Sequence, residues 1–198
     1  MKSCGRQTGV VLVIALVVLV AMTLAAVALV RSVDTSNVIA GNLAFQQAAV
    51  NSADTGIEDA ITWLNGNNTG TTLDADDATH GYAANGSDAS HSPAAGQSWD
   101  AFWGLSMAGR AYSFTAANSL DAAGNSVQYV IDRLCRFPGA KTAGASCIAS
   151  PVVHSATGNA EEAGEIQLNA PSVVYYRITA RVNGPRNTVT YVQAVVSL

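Results

Sequence analysis

The fold of this chain is decided by residues 10–30, VVLVIALVVLVAMTLAAVALV, a run in which Thr23 is the single polar residue. As a helix rising about 1.5 Å per residue, such a run spans the ~30 Å hydrocarbon core of a bilayer. Lys2 and Arg6 precede the run, and Arg31 follows it. Because basic residues favour retention in the cytoplasm, the sequence predicts one membrane pass with the N-terminus cytoplasmic.

A cleavable signal peptide is the alternative interpretation of this run. The apolar core of a signal peptide usually has about 7–15 residues, which is shorter than the stretch seen here. Residues 25–28, AAVA, would nevertheless suit a small-residue cleavage site. Cys4 has no apolar run before it, which argues against a lipoprotein. The N-terminus of the mature protein distinguishes these possibilities.

Composition limits the function classes for the rest of the chain. The 198 residues are 12% charged, with a formal net charge of −4, and they are enough for one moderate domain beyond the apolar run. No block rich in Lys or Arg is present, so charge gives no indication of nucleic-acid binding.

The helical pattern continues beyond residue 30. One stripe at helical spacing is mostly apolar and runs through Leu29, Val33, Ser36, Ala40, Leu43, Gln47, Val50, Asp54, Ile57, Ile61 and Leu64. No proline occurs before residue 64, so we predict one helix over 10–64. Gly41 and Gly56 are the expected bend points. The turn-forming residues 65–70, NGNNTG, end it.

The C-terminal half alternates with a period of two. We predict strands over 110–117, 126–134, 173–182 and 188–198, the last two forming a hairpin around the turn NGPRN at 183–187. One face of these strands is apolar and the other polar, which is typical of an antiparallel sheet covered on one side. The predicted fold class is therefore α+β, with a long helix packed on a roughly four-stranded antiparallel sheet. Residues 71–98 are predicted to be an irregular loop.

A helical turn is predicted over 98–105, with Trp99, Phe102 and Trp103 in the core. Cys135 and Cys147 are the only cysteines after the apolar run. If this part is exported, an oxidising compartment favours a disulfide between them. Two free thiols are the alternative.

No constellation in the sequence indicates catalysis. The chain has no Gly-x-Ser-x-Gly elbow and no glycine-rich phosphate loop. A calcium loop around Asp74 lacks the required glycine and closing glutamate. We therefore predict a protein that is not an enzyme, with no metal and no cofactor. The remaining polar sets are predicted to be solvated. They are the histidines His80, His91 and His154, none of which has a second histidine at metal-ligand spacing, the acidic patch Glu161, Glu162 and Glu165, and the strand arginines Arg177 and Arg181, with Arg133 as a further candidate for the same polar sheet face. A small anion or DNA-phosphate patch formed by these arginines is the alternative.

The N-terminus resembles the leader of a type IV prepilin. Residues 1–9 are short and basic and end in Gly9 before the apolar run. The resemblance implies that prepilin peptidase cuts between Gly9 and Val10 and methylates the new amine. It also implies a type IV pilin fold, in which 10–30 is the transmembrane and assembly half of the helix and 65–198 is the globular head with its C-terminal hairpin.

Position 14 departs from the major pilins, which carry glutamate at this fifth mature position. Ile14 is similar in this respect to PilX-type minor pilins, and residues 40–49, AGNLAFQQAA, resemble the helix signature of that family. The closing hairpin resembles it too. The resemblance implies a tip or priming complex that initiates assembly of the pilus. The implied partners are other minor pilins, the major pilin, the inner-membrane assembly platform and a tip adhesin. The chain would occupy the inner membrane, with a periplasmic head, and then the pilus at the cell surface.

Two other functions stay open. A minor pseudopilin of type II secretion has the same architecture, although tip-associated pseudopilins usually carry a larger helical insertion. A signal-anchored periplasmic domain, such as an unrecognised hydrolase, belongs to a different class. Whether the fibre would serve adhesion, motility or DNA uptake is not encoded in any motif.

Overall fold

A computed structural model describes residues 9–87, 89–115, 120–141, 144–148 and 173–198. Leader residues 1–8, His154 and the predicted acidic patch at 161–165 lie outside the described residues. The chain forms two compact units, Met1–Gln46 and Gln47–Leu198. Helix α1, Val10–Asn67, contributes to both units. It continues three residues beyond the predicted end at Leu64.

The second part of α1 supplies one wall of the head's core. Its buried residues are Ala49, Ser52, Ala53, Gly56, Ile57, Ala60 and Leu64. Of the predicted stripe in this part of the helix, only Ile57 and Leu64 are among them, and Val50 is exposed, so the packing face was predicted only in part. Small residues dominate this stripe, which lets the backbone of α1 approach the sheet. At Gly56 a Cβ atom would lie 2.7 Å from Cγ1 of Val127. The glycine is therefore a packing residue, and α1 continues through it as one helix.

The sheet has five strands: β1 Tyr82–Ala83, β2 Tyr112–Ser113, β3 Ser126–Arg133, β4 Tyr175–Gly184 and β5 Thr188–Ser197. Their order is β1-β3-β4-β5, and β2 also pairs with β3. The long strands β3, β4 and β5 pair antiparallel, as predicted.

The α+β class is confirmed, but the prediction that the roughly four-stranded sheet is antiparallel was wrong, because β1 pairs parallel with β3 and the sheet is mixed. β1 lies within the segment predicted to be an irregular loop. A strand of two residues is too short to show an alternating pattern. Of the strand predicted over 110–117, the described residues up to 115 form a strand only at Tyr112–Ser113, and residues 116 and 117 lie outside the described ranges.

The second sheet face is partly covered, which corrects the prediction of a fully solvated face. Ser98 caps helix α2, Trp99–Phe102, by accepting a hydrogen bond from the Ala101 amide. The chain continues as a π-helical segment, Trp103–Met107. A separate buried cluster forms where this segment packs on β3, comprising Phe102, Trp103, Met107 and Val130. The predicted helical turn and the predicted core positions of Phe102 and Trp103 are confirmed, whereas Trp99, also predicted for the core, is only partly buried against this cluster.

Polar contacts join α1 to the loop before β3 and to β3 itself. The Ser52 hydroxyl donates to Asp121 Oδ2 at 2.5 Å and accepts from Asn125 Nδ2 at 2.8 Å. The Tyr129 hydroxyl donates to Asp59 Oδ2 at 2.7 Å. Because each polar group has a partner, these contacts keep the helix–sheet interface satisfied.

Candidate functional site

The first candidate site is the apolar part of α1. Every residue of the helix from 10 to 40 is exposed, and none between Val10 and Val30 carries a charge. Among the described residues, α1 alone is long and apolar enough to cross a membrane, although a signal sequence would meet the same criterion. An uncharged apolar surface of this size needs lipid or other apolar helices around it.

The predicted processing junction lies at the start of this surface. Gly9 precedes the first helical residue, Val10, which is 57% exposed. A Cβ atom on Gly9 would meet no heavy atom within 4 Å, and Gly9 has no positive φ. Nothing in the described structure therefore requires glycine here for folding.

The two other predicted assembly residues lie further along the same helix. Ile14 is 57% exposed. Gly41 is half-buried, and a Cβ atom there would also meet nothing within 4 Å. Its effect on the helix is the intrinsic cost of glycine, about 1 kcal/mol relative to alanine. Gly41 and the packing residue Gly56 thus occupy different environments on one helix.

The predicted cysteine pair holds the loop after β3. Cys135 and Cys147 form a disulfide. The loop between them is tied further by Arg133, whose Nη1 donates to the carbonyls of Leu73 and Gly139, both at 2.9 Å. The predicted polar-face position of Arg133 was wrong, because Arg133 is buried and follows the core residues Tyr129 and Ile131 along β3.

A buried ion cluster is the chief feature that sequence reasoning missed. Asp132 on β3 has no exposed surface. His91 Nδ1 lies 2.8 Å from Asp132 Oδ1, Arg177 Nη2 lies 3.2 Å from Oδ2, and Arg110 also bonds Oδ1. Burial opposes ionisation of Asp132, but the bond to His91 and the two guanidinium groups outweigh it and lower the pKa of Asp132 below its ordinary value.

The cluster holds the segment that follows β1, including Gly86, His91 and Ser92, against the sheet. Arg177 reaches that segment through three contacts, donating to the carbonyls of Gly86 and His91 and to the Ser92 hydroxyl at 2.7–3.1 Å. These partners are more than 80 residues away in sequence. Strand alternation alone could not reveal the cluster, because a charged residue on a predicted polar face looks like an ordinary solvated position.

A cleft of about 380 Å³ adjoins the ion cluster and is lined by Asp76, Asn85, Ser90, His91, Ser106 and Arg110, among others. A buried aspartate that orients a histidine is one half of a hydrolase triad. The other half is a serine hydroxyl bonded to the imidazole, and in the described part of the chain neither Ser90 nor Ser106 makes such a bond. Arg110 Nη2 instead lies 3.3 Å from His91 Nδ1.

His80, Asp76 and Asp74, which are residue types that bind metals, each contact a different part of the head. His80 stacks on Trp63 with ring centroids 5.0 Å apart and bonds Asp77, but its side chain keeps 41% exposure. The solvated interpretation was wrong for His91, which bonds the buried Asp132. Asp76 accepts from the Ala84 amide, and Asp74 contacts Arg133. Within the ranges that the structure describes, no three His, Cys, Asp or Glu side chains form a metal-binding group.

Arg181, the last of the strand arginines, binds the α2 segment. Its Nη2 lies 3.1 Å from Asp100 Oδ1, and its Nε donates to the Tyr191 hydroxyl. Arg177 and Arg181 therefore share a sheet face as predicted, but each is committed to an acidic partner in the head. A free anion-binding patch is not formed by these two residues.

No model of a known protein family, no curated protein and no solved structure shows a significant match to this chain.

Proposed function

We propose that this protein is a minor pilin of a type IV pilus, and that it belongs to a tip complex that initiates assembly. The observation that supports this proposal most is the composition of α1. One helix joins an uncharged, exposed apolar stretch to a buried stripe within the head. A simple membrane anchor has no need to be continuous with the core helix of its domain, whereas a subunit that must be pulled from the membrane benefits from that connection.

In the proposed mechanism, the apolar stretch has two successive environments. It first lies in the inner membrane with the head in the periplasm. Prepilin peptidase then cuts between Gly9 and Val10 and methylates the new amine. On extraction by the assembly platform, lipid around the stretch is exchanged for the helices of neighbouring pilins. The apolar surface stays buried throughout, so extraction avoids most of the cost of exposing it to water.

Ile14 favours a position at or near the tip. In the major pilins, which carry glutamate at this position, the resemblance implies that this glutamate pairs with the N-terminal ammonium of a neighbouring subunit. A lone carboxylate in the bilayer costs roughly 2.5–3.5 kcal/mol on insertion scales, and Ile14 avoids this cost. It also gives up the pairing, which a subunit at the tip does not need. Other minor pilins, the major pilin and a tip adhesin are the proposed partners.

The mature N-terminus tests the proposal directly. We expect mass spectrometry of the membrane-extracted protein to show a chain that starts at methylated Val10. Gly9→Leu should abolish this cleavage, while the matched leader variant Gly5→Leu should be processed normally. Because a Cβ atom added at Gly9 meets nothing in the described structure, and the head lies more than 30 residues further along the chain, a loss of processing in Gly9→Leu would reflect recognition rather than misfolding of the head.

Other outcomes separate the competing functions. A mature chain that starts after Ala26 or Ala28 would identify a signal peptide and overturn the proposal. Normal processing combined with lost exoprotein secretion and intact pili, in a strain lacking the gene, would favour a type II secretion pseudopilin. Loss of pili, with secretion intact, is the expected result for a minor pilin.

A further inference from the structure

Strand β5 forms a long edge of the sheet. Val174 and Leu198 exchange both backbone hydrogen bonds, at 2.9 and 3.0 Å. In an antiparallel ladder such pairs alternate with pairs that exchange none, and the register between β4 and β5 is regular. The even-numbered residues of β5 therefore bond to β4. The N–H and C=O groups that point away from β4 belong to Val189, Tyr191, Gln193, Val195 and Ser197.

This edge lacks the features that normally prevent strand pairing. Natural edge strands are kept short, charged, bulged or interrupted by proline. β5 has ten residues and contains no charged residue and no proline. Within the described ranges, no strand pairs with its outer side. The opposite edge differs, because the two-residue strands β1 and β2 both pair with β3 there. The outward backbone groups of β5 thus specify an extended partner.

We propose that the partner is β5 of a second copy of this chain, paired antiparallel about a twofold axis at Gln193. In this register each Gln193 faces its equivalent, and Tyr191 faces Val195 of the second copy. Aromatic and β-branched residues are favourable cross-strand neighbours. With no charge on either strand, the pairing meets no like-charge repulsion.

The twofold register at Gln193 also suits the face of β5 that packs against the core of the head. Val192, Ala194, Val196 and Leu198 are only partly buried, although they pack against the core of the head. A second β5 places Val192 opposite Ala194 and extends this apolar row across the twofold axis. Val195, which is 60% exposed, gains a neighbour on the opposite face. Both faces of β5 therefore suit the same uncharged strand, which is why a second copy fits the edge.

Cysteine cross-linking of the full-length protein tests the register. In a Cys4→Ser background, Gln193→Cys should form a disulfide-linked dimer under mild oxidation, in detergent micelles and in native membranes. The matched variant Val189→Cys should not, because residue 189 faces Ser197 of the second copy. Equal cross-linking of the two variants, no cross-linking of either, or linkage of the Gln193→Cys variant only to a different protein would each overturn the proposal.

A backbone variant separates edge pairing from association through the apolar helix. Val195→Pro removes an N–H that points away from β4, so it leaves the β4–β5 ladder intact, and proline is tolerated on edge strands. We expect it to lower the cross-linked fraction of Gln193→Cys by about tenfold, as for a lost hydrogen bond and a blocked approach, while Val195→Thr keeps it. If Val195→Pro lowers the melting temperature, Val195→Lys provides the same test. Unchanged cross-linking in both variants would contradict the proposal.

Discussion

Gly56 on α1 and Val127 on β3 lie so close that a Cβ atom added to the glycine would be 2.7 Å from Cγ1 of the valine. The absence of a side chain at this one position sets how near the helix comes to the sheet. Because Val127 is itself buried, it has little room to move away. The contact makes Gly56 a specific test of how the head is packed.

We expect Gly56→Ala to destabilise the head by about 1–3 kcal/mol, the usual cost of overpacking a core. Gly41→Ala is the matched control on the same helix, where an added Cβ meets open space. It should stabilise α1 by up to about 1 kcal/mol through helix propensity. Denaturant unfolding followed by circular dichroism measures both effects. A Gly56→Ala variant as stable as wild type would contradict the close packing.

Removing the carboxylate of the ion cluster should lower the free energy of unfolding of the head by a large amount. Asp132→Asn leaves Arg110 and Arg177 without a buried counter-charge, which should cost about 3 kcal/mol or more. Asp100→Asn is a matched control, because Asp100 also pairs with a strand arginine but its side chain is 68% exposed. Exposed pairs contribute little, so we expect nearly unchanged stability there. Similar losses in both variants would show that burial does not determine the effect.

The lowered pKa of Asp132 predicts a pH dependence with a definite sign. The unfolded chain takes up a proton near the ordinary value of 3.8, whereas the folded chain does so only at lower pH. The carboxylate's contribution is therefore fully present above about pH 5 and is lost as the pH falls below about 4. Asp77 and Asp121 also have lowered pKa values, but they titrate in wild type and variant alike. The stability difference between wild type and Asp132→Asn should shrink on acidification, and a constant difference would contradict this.

Because of the disulfide, the stability of the head should depend on redox conditions. Cys135→Ser should lower the free energy of unfolding by about 2–4 kcal/mol, the range typical of a loop of this length. Reduction of the wild type should have the same effect. Cys4→Ser is the matched control and should leave stability unchanged, because that cysteine lies in the proposed leader. Insensitivity to reductant, with the disulfide shown to be broken, would contradict a stabilising role.

The proposed tip position depends on Ile14. Under the proposed function, Ile14→Glu restores the pairing with a neighbour's N-terminal ammonium and should let the subunit enter the shaft. Immunogold labelling of pili should then move from the ends to positions along the fibre. Ile14→Leu keeps the apolar character and should label the ends only. Shaft labelling by the wild-type protein would contradict the tip assignment.

Part of the fold could be predicted from the sequence because the signals are local. The uncharged run at 10–30 and the apolar stripe after it predict α1, which extends to Asn67. The alternation around the turn at 183–187 predicts the β4–β5 hairpin. The structure also joins the two cysteines that the sequence paired. Each of these predictions depends on a short stretch of chain. It uses either a repeating pattern or two cysteines that have no other cysteine nearby to pair with.

Other features required the tertiary structure. The parallel pairing of Tyr82 with Ile131 involves a strand too short to carry a pattern. The bond between His91 and Asp132 joins residues 41 apart in sequence, and the cover that Trp103 provides for Val130 comes from a helical segment outside the strands. The sequence by itself determined which segments are apolar, helical or extended, since these properties depend on neighbouring residues. Only the tertiary structure decided which polar side chains are buried together, because that depends on how distant segments cross the same sheet face.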